Sequence, residues 1–224
     1  MIGRMTALVA FGTLLCSSAW AQDHRFEISG TAGYVLADGV SAASSVLGAD
    51  GNLYNRVDPK DSFGWGIGIG YFFTETSELE FLYSNQPSTL TISGTASRDV
   101  GDFSIKGYHG VYSYHFGEPE GTVRPFISFG LGATSYPGVT FTGFDGQTRQ
   151  TDGNTQFSGT LGLGVKIYPG NGKAGLRLQT RWTPTYIKSD SEGWWCDPYW
   201  GCYVVGDPQY SNQFELSGGI SLRF

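Results

Sequence analysis

Residues 213–224, QFELSGGISLRF, decide the fold class, because their apolar and polar side chains alternate. One face of this stretch carries Phe214, Leu216, Ile220, Leu222 and Phe224. The other face carries Gln213, Glu215, Ser217, Ser221 and Arg223. A period of two residues is typical of an extended strand whose two faces meet different surroundings. The stretch therefore predicts a β-strand with one apolar face and one polar face.

Seven further segments show the same alternation, and three short turns and four long polar loops join them. The eight predicted strands begin near residues 25, 63, 78, 103, 127, 157, 176 and 213. The predicted loops lie near residues 37–62, 85–102, 136–154 and 188–211. Strands of about ten residues, with short turns at one end and long loops at the other, are typical of antiparallel up-and-down barrels that span a membrane.

The fourth predicted strand does not follow a single alternation. Its apolar residues fall on both faces, since one parity carries Phe103, Ile105 and Val111 and the other carries Tyr108, Tyr112 and Tyr114. A β-bulge would exchange the two faces partway along the strand. We therefore expect a change of register within residues 103–116.

The N-terminus has the composition of a secretory signal peptide. A basic residue precedes an apolar run over residues 7–15, and the small-x-small sequence Ala19-Trp20-Ala21 follows. We predict that residues 1–21 are removed and that residues 22–224 form one barrel domain. Cys16 leaves a lipoprotein signal as an alternative.

Charge and hydropathy limit the partners of the mature chain. Removing the one basic residue of the signal leaves 13 basic and 20 acidic residues, a net charge of −7. A chain with this balance is not expected to bind nucleic acid. No later apolar run reaches the roughly 18 residues that a membrane-spanning helix needs, so a membrane protein of this sequence must cross with strands.

Alternation alone is compatible with a lipid-exposed barrel and with a soluble, lipocalin-like barrel around a pocket. Gly64, Gly66, Gly68 and Gly70 occupy the polar face of the second strand, where they would relieve crowding inside a narrow barrel. Aromatic residues also recur near strand ends, where lipid headgroups would lie. They are Tyr34, Phe63, Tyr71, Phe73, Tyr83, Trp182, Tyr186, Phe214 and Phe224. We therefore predict that the apolar face contacts lipid.

With its alternating strands, unequal connections and terminal Phe224, the chain resembles the small OmpA-like and OmpX-like outer-membrane β-barrels. The resemblance implies an all-β, eight-stranded antiparallel barrel in the outer membrane of a Gram-negative bacterium, with short periplasmic turns and long extracellular loops. It implies outer-membrane lipid and lipopolysaccharide as neighbours, and Phe224 as part of the signal read by the barrel assembly machinery. No peptidoglycan-binding domain follows the barrel, so cell-wall tethering is not expected.

The polar face of the strands carries acidic and basic residues that would meet inside the barrel. They are Glu27, Glu78, Glu80, Lys106, Lys166, Arg177, Arg181 and Glu215, with Arg223 as a further candidate. Because an unpaired buried charge is costly, we expect these groups to form an ion-pair network that fills the lumen. The alternative is a narrow conductive path whose selectivity the same residues would set.

The fourth loop has the most distinctive local sequence. Its cysteines, Cys196 and Cys202, are predicted to form a small disulfide ring in an oxidising compartment. The aromatic residues beside that ring are Trp194, Trp195, Tyr199 and Trp200. They could cap the barrel mouth, or they could present a rigid contact surface to a glycan, to lipopolysaccharide or to a protein.

These features favour a non-enzymatic outer-membrane protein with a role in envelope integrity or in surface contacts through its loops. The alternative is a narrow pore for small solutes that resembles OmpW-type barrels, and a lipid A-modifying enzyme is a third class. The histidines show neither the His-x-Ser arrangement of the deacylase type nor a metal-ligand spacing. Acidic residues of the first loop indicate calcium only weakly. We expect no cofactor, no metal and no catalytic residue, and the sequence does not identify an extracellular ligand.

Overall fold

The computed structural model describes residues 25–47, 51–138, 140–142, 148–150, 153–170, 172–187, 195–197, 201–203 and 209–224. Every regular element in these ranges is a strand. The strands are β1 (Phe26–Ala37), β2 (Val40–Leu47), β3 (Leu53–Pro59), β4 (Ser62–Phe72), β5 (Ser77–Gly94), β6 (Ser97–His115), β7 (Val123–Tyr136), β8 (Thr140–Thr142), β9 (Thr148–Gln150), β10 (Asn154–Ile167), β11 (Ala174–Ile187), β12 (Trp195–Asp197), β13 (Gly201–Tyr203) and β14 (Gln209–Arg223). The predicted signal peptide lies outside the described residues, so residues 1–21 remain a prediction.

Eight of the strands close into one antiparallel barrel, which confirms the predicted fold class. Their order around the wall is β1, β4, β5, β6, β7, β10, β11 and β14. The barrel closes between its first and last strands, whose register runs from Glu27 opposite Arg223 to Ala37 opposite Gln213. The described residues contain no helix that is long and apolar enough to cross a membrane.

The lower part of the barrel, toward the short turns, has its apolar side chains on the outside. Leu131, Leu163 and Leu216 are 65%, 56% and 68% exposed. The alternate positions face the interior and are mostly polar or glycine, as the sequence predicted, although Phe72, Leu82, Val111 and Phe126 are also buried there. Such a wall is stable only where the outer surface meets lipid rather than water.

The upper part of the wall consists of strands where the sequence predicted polar loops. The predicted loop over residues 85–102 is wrong, because β5 continues to Gly94 and β6 begins at Ser97. β2 and β3 form a hairpin whose second strand pairs with upper β5, from Pro59 opposite Leu90 to Tyr54 opposite Gly94. The barrel is therefore extended by a β-sheet on the side of the long loops.

β6 keeps one register through the segment where a bulge was expected. Its pairing with β5 is unbroken from Tyr114 opposite Ser77 to Gly101 opposite Leu90. The irregularity lies higher, because Thr91 pairs with Asp99 and leaves Val100 as the additional residue. The apolar residues on both faces of this strand therefore need another explanation, which the interior of the barrel provides.

Candidate functional site

The lumen near the short turns is filled by a cluster of buried charges. Nζ of Lys166 donates to Oε1 of Glu27 at 2.5 Å and to Oε2 of Glu78 at 2.8 Å. Oε2 of Glu27 accepts from the Tyr168 hydroxyl at 2.5 Å and from Nε of Arg223 at 3.2 Å. The side chains of Lys166, Glu27 and Glu78 are at most 1% exposed. The two carboxylates therefore share one ammonium group in a space closed to solvent.

A second ion pair lies farther into the lumen. Nη1 and Nη2 of Arg177 donate to Oε1 and Oε2 of Glu80 at 2.7 and 3.0 Å, which is bidentate geometry. Ser29 Oγ donates to Oε1 of Glu80 at 2.8 Å, and Nε of Arg177 donates to Oε1 of Gln179 at 2.8 Å. Both charges therefore have several hydrogen bonds, which offset the cost of burying them.

A third pair marks the upper end of the polar lumen. Arg181 donates to Glu215 through Nη2, and the two side chains are 10% and 14% exposed. Above them, Nε2 of Gln213 donates to Oε1 of Gln86 at 3.0 Å. A cavity of ≈ 20 Å³ lies between these side chains, which is room for about one water molecule.

The glycine row of β4 makes space for the carboxylates, as its position on the polar face suggested. A Cβ atom added at Gly68 would overlap Oε1 of Glu80, and one added at Gly70 would overlap Oε1 of Glu78. The two glycines therefore allow the acidic side chains of β5 to lie flat against the neighbouring strand.

Sequence reasoning missed at least three members of this interior, namely Arg124, Tyr168 and His115, whose Nε2 lies 2.9 Å from Oε2 of Glu78. Arg124 is 3% exposed, donates to the backbone carbonyl of Glu75, and lies 5.6 Å from the ring centroid of Phe72. Tyr168 lies in the turn after β10. Arg124 shares its parity with Phe126 and Ser128, so extending the predicted fifth strand toward its start would have found it.

An apolar cluster closes the lumen at the end of the long loops. It consists of Val40, Val57, Leu90, Phe103, Ile105, Tyr136 and Ile187, all at most 9% exposed. Phe103 and Ile105 share the inward face of β6 with His109 and Ser113. The inward face of β6 is thus apolar high in the barrel and mostly polar low in it, where Val111 is the exception. This change accounts for apolar residues on both faces of the strand without a bulge.

The structure places Lys106 outside the lumen, apart from the other seven predicted charges. It lies on the outward face of β6 with Tyr108 and Tyr114, which are 42% and 40% exposed. Its direct cross-strand neighbours are Asn85 and Ser135. The prediction assigned Lys106 to the interior because it assumed that polar residues face inward along the whole strand.

Asn85, Lys106, Ser135 and Thr155 form a polar row on the outer wall, which we call the border row. They are consecutive cross-strand partners on β5, β6, β7 and β10. Oγ1 of Thr155 donates to Oγ of Ser135 at 3.1 Å. Aromatic and apolar side chains lie below the row, so it marks the upper edge of the lipid-facing surface.

A serine and a histidine meet inside the barrel although they are distant in the sequence. Nε2 of His109 lies 2.8 Å from Oγ of Ser158, and Oγ1 of Thr134 donates to the same oxygen at 2.9 Å. Such a pair has the geometry of a base beside a nucleophile. His109 and Ser158 are 3% and 1% exposed, so an ester has no access to them.

The outer face above the border row carries exposed ion pairs. Nζ of Lys60 lies 2.6 Å from Oδ2 of Asp99, and Nη2 of Arg56 lies 2.6 Å from Oδ1 of Asp38. Hydrogen bonds from Lys60 and from Thr91 lower the pKa of Asp99 below its ordinary value. No group of three metal-ligating side chains occurs within the part of the chain that the structure describes.

Within the fourth loop, the structure describes the two short strands β12 and β13 and residues 209–211 at the start of β14. β12 and β13 pair with Cys196 directly opposite Cys202, and Trp195 opposite Tyr203. The predicted aromatic residues Trp194, Tyr199 and Trp200 lie outside the described residues. The contact surface and the disulfide therefore remain predictions.

Phe224 lies where the barrel closes. Its backbone N–H donates to the carbonyl of Phe26 at 2.8 Å, and its side chain is 58% exposed. The terminal residue thus adds one backbone pair to the contact between β14 and β1. Its role as an assembly signal remains a prediction.

A family model described as outer membrane protein beta-barrel domain matches residues 7–224. No curated protein matches the chain. The crystal structure of Neisserial surface protein A is similar with a TM-score of 0.54 and 16% identity, covering 89% of this chain and 97% of that one. The outer membrane protein OprG from Pseudomonas aeruginosa gives a TM-score of 0.56 and 14% identity, covering 89% and 95%. At these identities the two structures show a shared fold alone.

Proposed function

Because the chain belongs to the family of outer membrane protein beta-barrel domains, we propose that it is a non-enzymatic protein of the Gram-negative outer membrane that acts through its extracellular part. Its role would be envelope integrity or contact with molecules at the cell surface. The observation that carries this proposal is the filled interior, in which buried ion pairs below and an apolar cluster above occupy the barrel.

The filled interior supports an anchor rather than a pore. A solute would have to separate the bidentate pair of Arg177 and Glu80, which are 3% and 1% exposed. It would then have to displace the apolar cluster around Ile105. An eight-stranded barrel is barely wide enough for its own side chains, so these groups have little space to move aside.

The extracellular sheet supports a role at the surface. β2, β3 and the upper parts of β5 and β6 pack on the apolar cluster, and the described outer faces of β3, β5 and β6 are mostly polar, with Leu53 as an exposed apolar residue. This sheet gives the long loops a folded base. In the fourth loop, the opposition of Cys196 and Cys202 is compatible with the short Cα distance that a disulfide requires. The ring would hold Trp194, Trp195, Tyr199 and Trp200 in a fixed arrangement.

Planar-bilayer recordings test the anchor against the small-solute pore. The purified protein is expected to give no single-channel steps at any applied voltage at which the bilayer is stable. Steady steps from the unaltered protein would overturn the proposal and would favour the pore.

Cells that lack the protein test the role in the envelope. We expect them to take up more of a hydrophobic fluorescent dye than cells that express it. Complementation with a Trp194→Ala/Trp195→Ala/Trp200→Ala variant separates the two roles, with Leu53→Ala as a matched apolar control at an exposed position. Full rescue by the triple variant would show that the barrel carries the role in envelope integrity. No rescue would show that the loop surface carries it. Equal uptake with and without the protein would contradict a role in integrity.

Mass spectrometry of lipid A tests the non-enzymatic assignment. The enclosed pair of His109 and Ser158 supports the absence of catalysis, since neither side chain is open to a substrate. We expect identical acylation of lipid A with and without expression of the protein. Altered acylation that is lost in Ser158→Ala would establish the enzyme class.

A further inference from the structure

The cavity of ≈ 20 Å³ in the upper lumen lies where the polar interior meets the apolar cluster. Arg181 and Glu215, which form the third ion pair, line it together with Ile105 of the apolar cluster. Gln86 and Gln213, which are hydrogen-bonded to each other, also line it. Side chains from β5, β6, β11 and β14 therefore meet around one small space, which we call the lumen cavity.

Two glycines keep the lumen cavity open. Gly64 and Gly107 occupy inward-facing positions of β4 and β6, and both line the cavity. A Cβ atom added at Gly107 would lie 2.5 Å from Oγ of Ser84, and one added at Gly64 would lie 3.2 Å from Cγ2 of Val35. Side chains at these two positions would need their neighbours to move, so the space depends on glycine at both.

Two hydrogen-bond donors of residues that line the cavity have no acceptor among the described residues. They are Nη1 of Arg181 and Nε2 of Gln86, and both atoms are closed to solvent. The two residues are 9% and 5% exposed. Neighbouring atoms of the same groups are bonded, since Nη2 of Arg181 donates to Glu215 and Oε1 of Gln86 accepts from Gln213. Buried donors are nearly always satisfied by protein or by ordered water, so these two indicate an acceptor in the cavity.

The charges and the volume of the cavity select a small neutral acceptor. Arg181 and Glu215 already neutralise each other, so an anion would meet no uncompensated positive charge and would lie beside the Glu215 carboxylate. A cation would lie beside Arg181 and could accept no hydrogen bond from either donor. A volume of ≈ 20 Å³ holds about one water molecule and excludes larger acceptors. Glu215 also has lone pairs that can accept the protons of a water molecule.

We propose that the lumen cavity is a binding site for one water molecule, which accepts hydrogen bonds from Nη1 of Arg181 and Nε2 of Gln86 and donates to the Glu215 carboxylate. The water joins the third ion pair of the polar lumen to the glutamine pair beside the apolar cluster. The interior is therefore closed at this level by a bound molecule rather than by direct contact between side chains. The site does not depend on what the protein does at the cell surface.

A crystal structure of the unaltered full-length protein, grown in sodium bromide, tests the site and the neutrality of its occupant. We expect one peak of density within about 3.2 Å of both Nη1 of Arg181 and Nε2 of Gln86, the upper range of a hydrogen bond. Bromide scatters anomalously at the bromine absorption edge, whereas the oxygen of water does not. The peak should therefore have no anomalous signal.

Crystals of three variants test the partners of the water. Gln86→Met replaces one donor by an apolar group of similar length, so the water loses a hydrogen bond and its density should be lost. Gln156→Met makes the same change at a buried glutamine that does not line the cavity, and the density should remain. Glu215→Gln removes the carboxylate that balances Arg181 and should admit bromide, which gives an anomalous peak. Heat-modifiable gel mobility establishes that each variant is folded.

Each departure from these results overturns part of the site. An anomalous peak in the unaltered protein would assign the lumen cavity to an anion, and a cavity without density would mean that no ligand joins the two donors. Density that persists in folded Gln86→Met would remove Gln86 as a partner. A Glu215→Gln variant without bromide would remove charge balance as the reason for a neutral occupant. None of these results touches the proposed function, because channel recordings and dye uptake do not depend on what the cavity binds.

Discussion

The same strands form the lower and upper parts of this barrel, but their apolar side chains face outward in the lower part and inward in the upper part. Below the border row, β5 directs Leu79 and Phe81 outward and Glu80 inward. Above the row, the same strand directs Leu90 into the apolar cluster and Thr91 outward to Asp99. The backbone keeps its alternation, so the polarity of the two faces is exchanged while the geometry is unchanged.

The exchange shows that the surroundings, rather than the strand, determine which face is apolar. Lipid around the lower wall requires an apolar exterior, and the interior then holds charges that must be paired. Water around the upper wall requires a polar exterior, and the interior then becomes an ordinary apolar core. The border row lies at the transition, which is why its only cation, Lys106, faces outward.

Removing Glu80 from its ion pair with Arg177 should have the largest effect on the free energy of unfolding. Glu80→Leu leaves Arg177 buried without a carboxylate and should lower the free energy of unfolding by about 3–5 kcal/mol. Urea unfolding in lipid vesicles measures the change. Glu80→Leu combined with Arg177→Met removes both charges and should recover most of the loss. A single variant as stable as the unaltered protein would mean that the lower interior is not held by paired charges.

Introducing a charge on the lipid-facing wall should have the second-largest effect on the free energy of unfolding. Leu163→Arg places a cation on the exposed apolar face of β10 and should cost about 2–4 kcal/mol in the same unfolding assay. Asn55→Arg makes a similar change at an exposed position of β3, above the border row, and should cost much less. Equal costs at the two positions would remove the distinction between the lipid-facing and water-facing walls.

The sequence was largely sufficient for the lower barrel because one pattern, with apolar residues outward and polar residues inward, holds over most of it. Lipid outside and a crowded interior constrain both faces, so the alternation of β14 and the glycine row of β4 predicted orientation correctly. The same pattern predicted seven of the interior charges, since acidic and basic residues on an inward face must meet in a narrow lumen.

The upper part could not be predicted in the same way, because which face of each strand is polar there depends on where the membrane ends. Polar residues over 85–102 were interpreted as a loop, although they are the water-facing side of two long strands. Lys106 was assigned inward for the same reason. The contact between His109 and Ser158 depends on how strands β6 and β10 approach across the lumen, and neither strand alone carries that information.

Loss of one methyl group should distinguish the upper core from the lipid-facing wall. Ile105→Val removes a methyl group from a side chain that is 3% exposed and should cost about 0.5–1.5 kcal/mol. Ile67→Val makes the same chemical change at a side chain that is 48% exposed on the outer wall, where lipid chains can fill the space. The free energy of unfolding in vesicles should therefore change less for Ile67→Val. A larger loss at Ile67 would indicate that the upper cluster is loosely packed.

The smallest effect concerns the water-facing ion pair of the extracellular sheet. Asp99 accepts from Nζ of Lys60 at 2.6 Å and from Oγ1 of Thr91 at 2.9 Å, and these bonds hold its pKa below the ordinary value. A lowered pKa means that the pair contributes to stability above the ordinary range of an aspartate and loses this contribution as the pH falls through the lowered value. Lys60→Gln should raise the pKa of Asp99 toward its ordinary value, as measured by carboxyl NMR titration. Lys173→Gln, near the opposite end of the barrel, should leave it unchanged.

Salt provides an independent measure of the same pair. Exposed charges are screened over about 10 Å at 0.1 M salt, whereas buried pairs are screened far less. Raising the ionic strength should therefore move the pKa of Asp99 in the same direction as Lys60→Gln. Unfolding of Glu80→Leu relative to the unaltered protein should show little dependence on salt, because the Arg177 pair is closed to solvent. A pKa of Asp99 that responds neither to the substitution nor to salt would mean that the extracellular sheet does not have the solvated outer face described above.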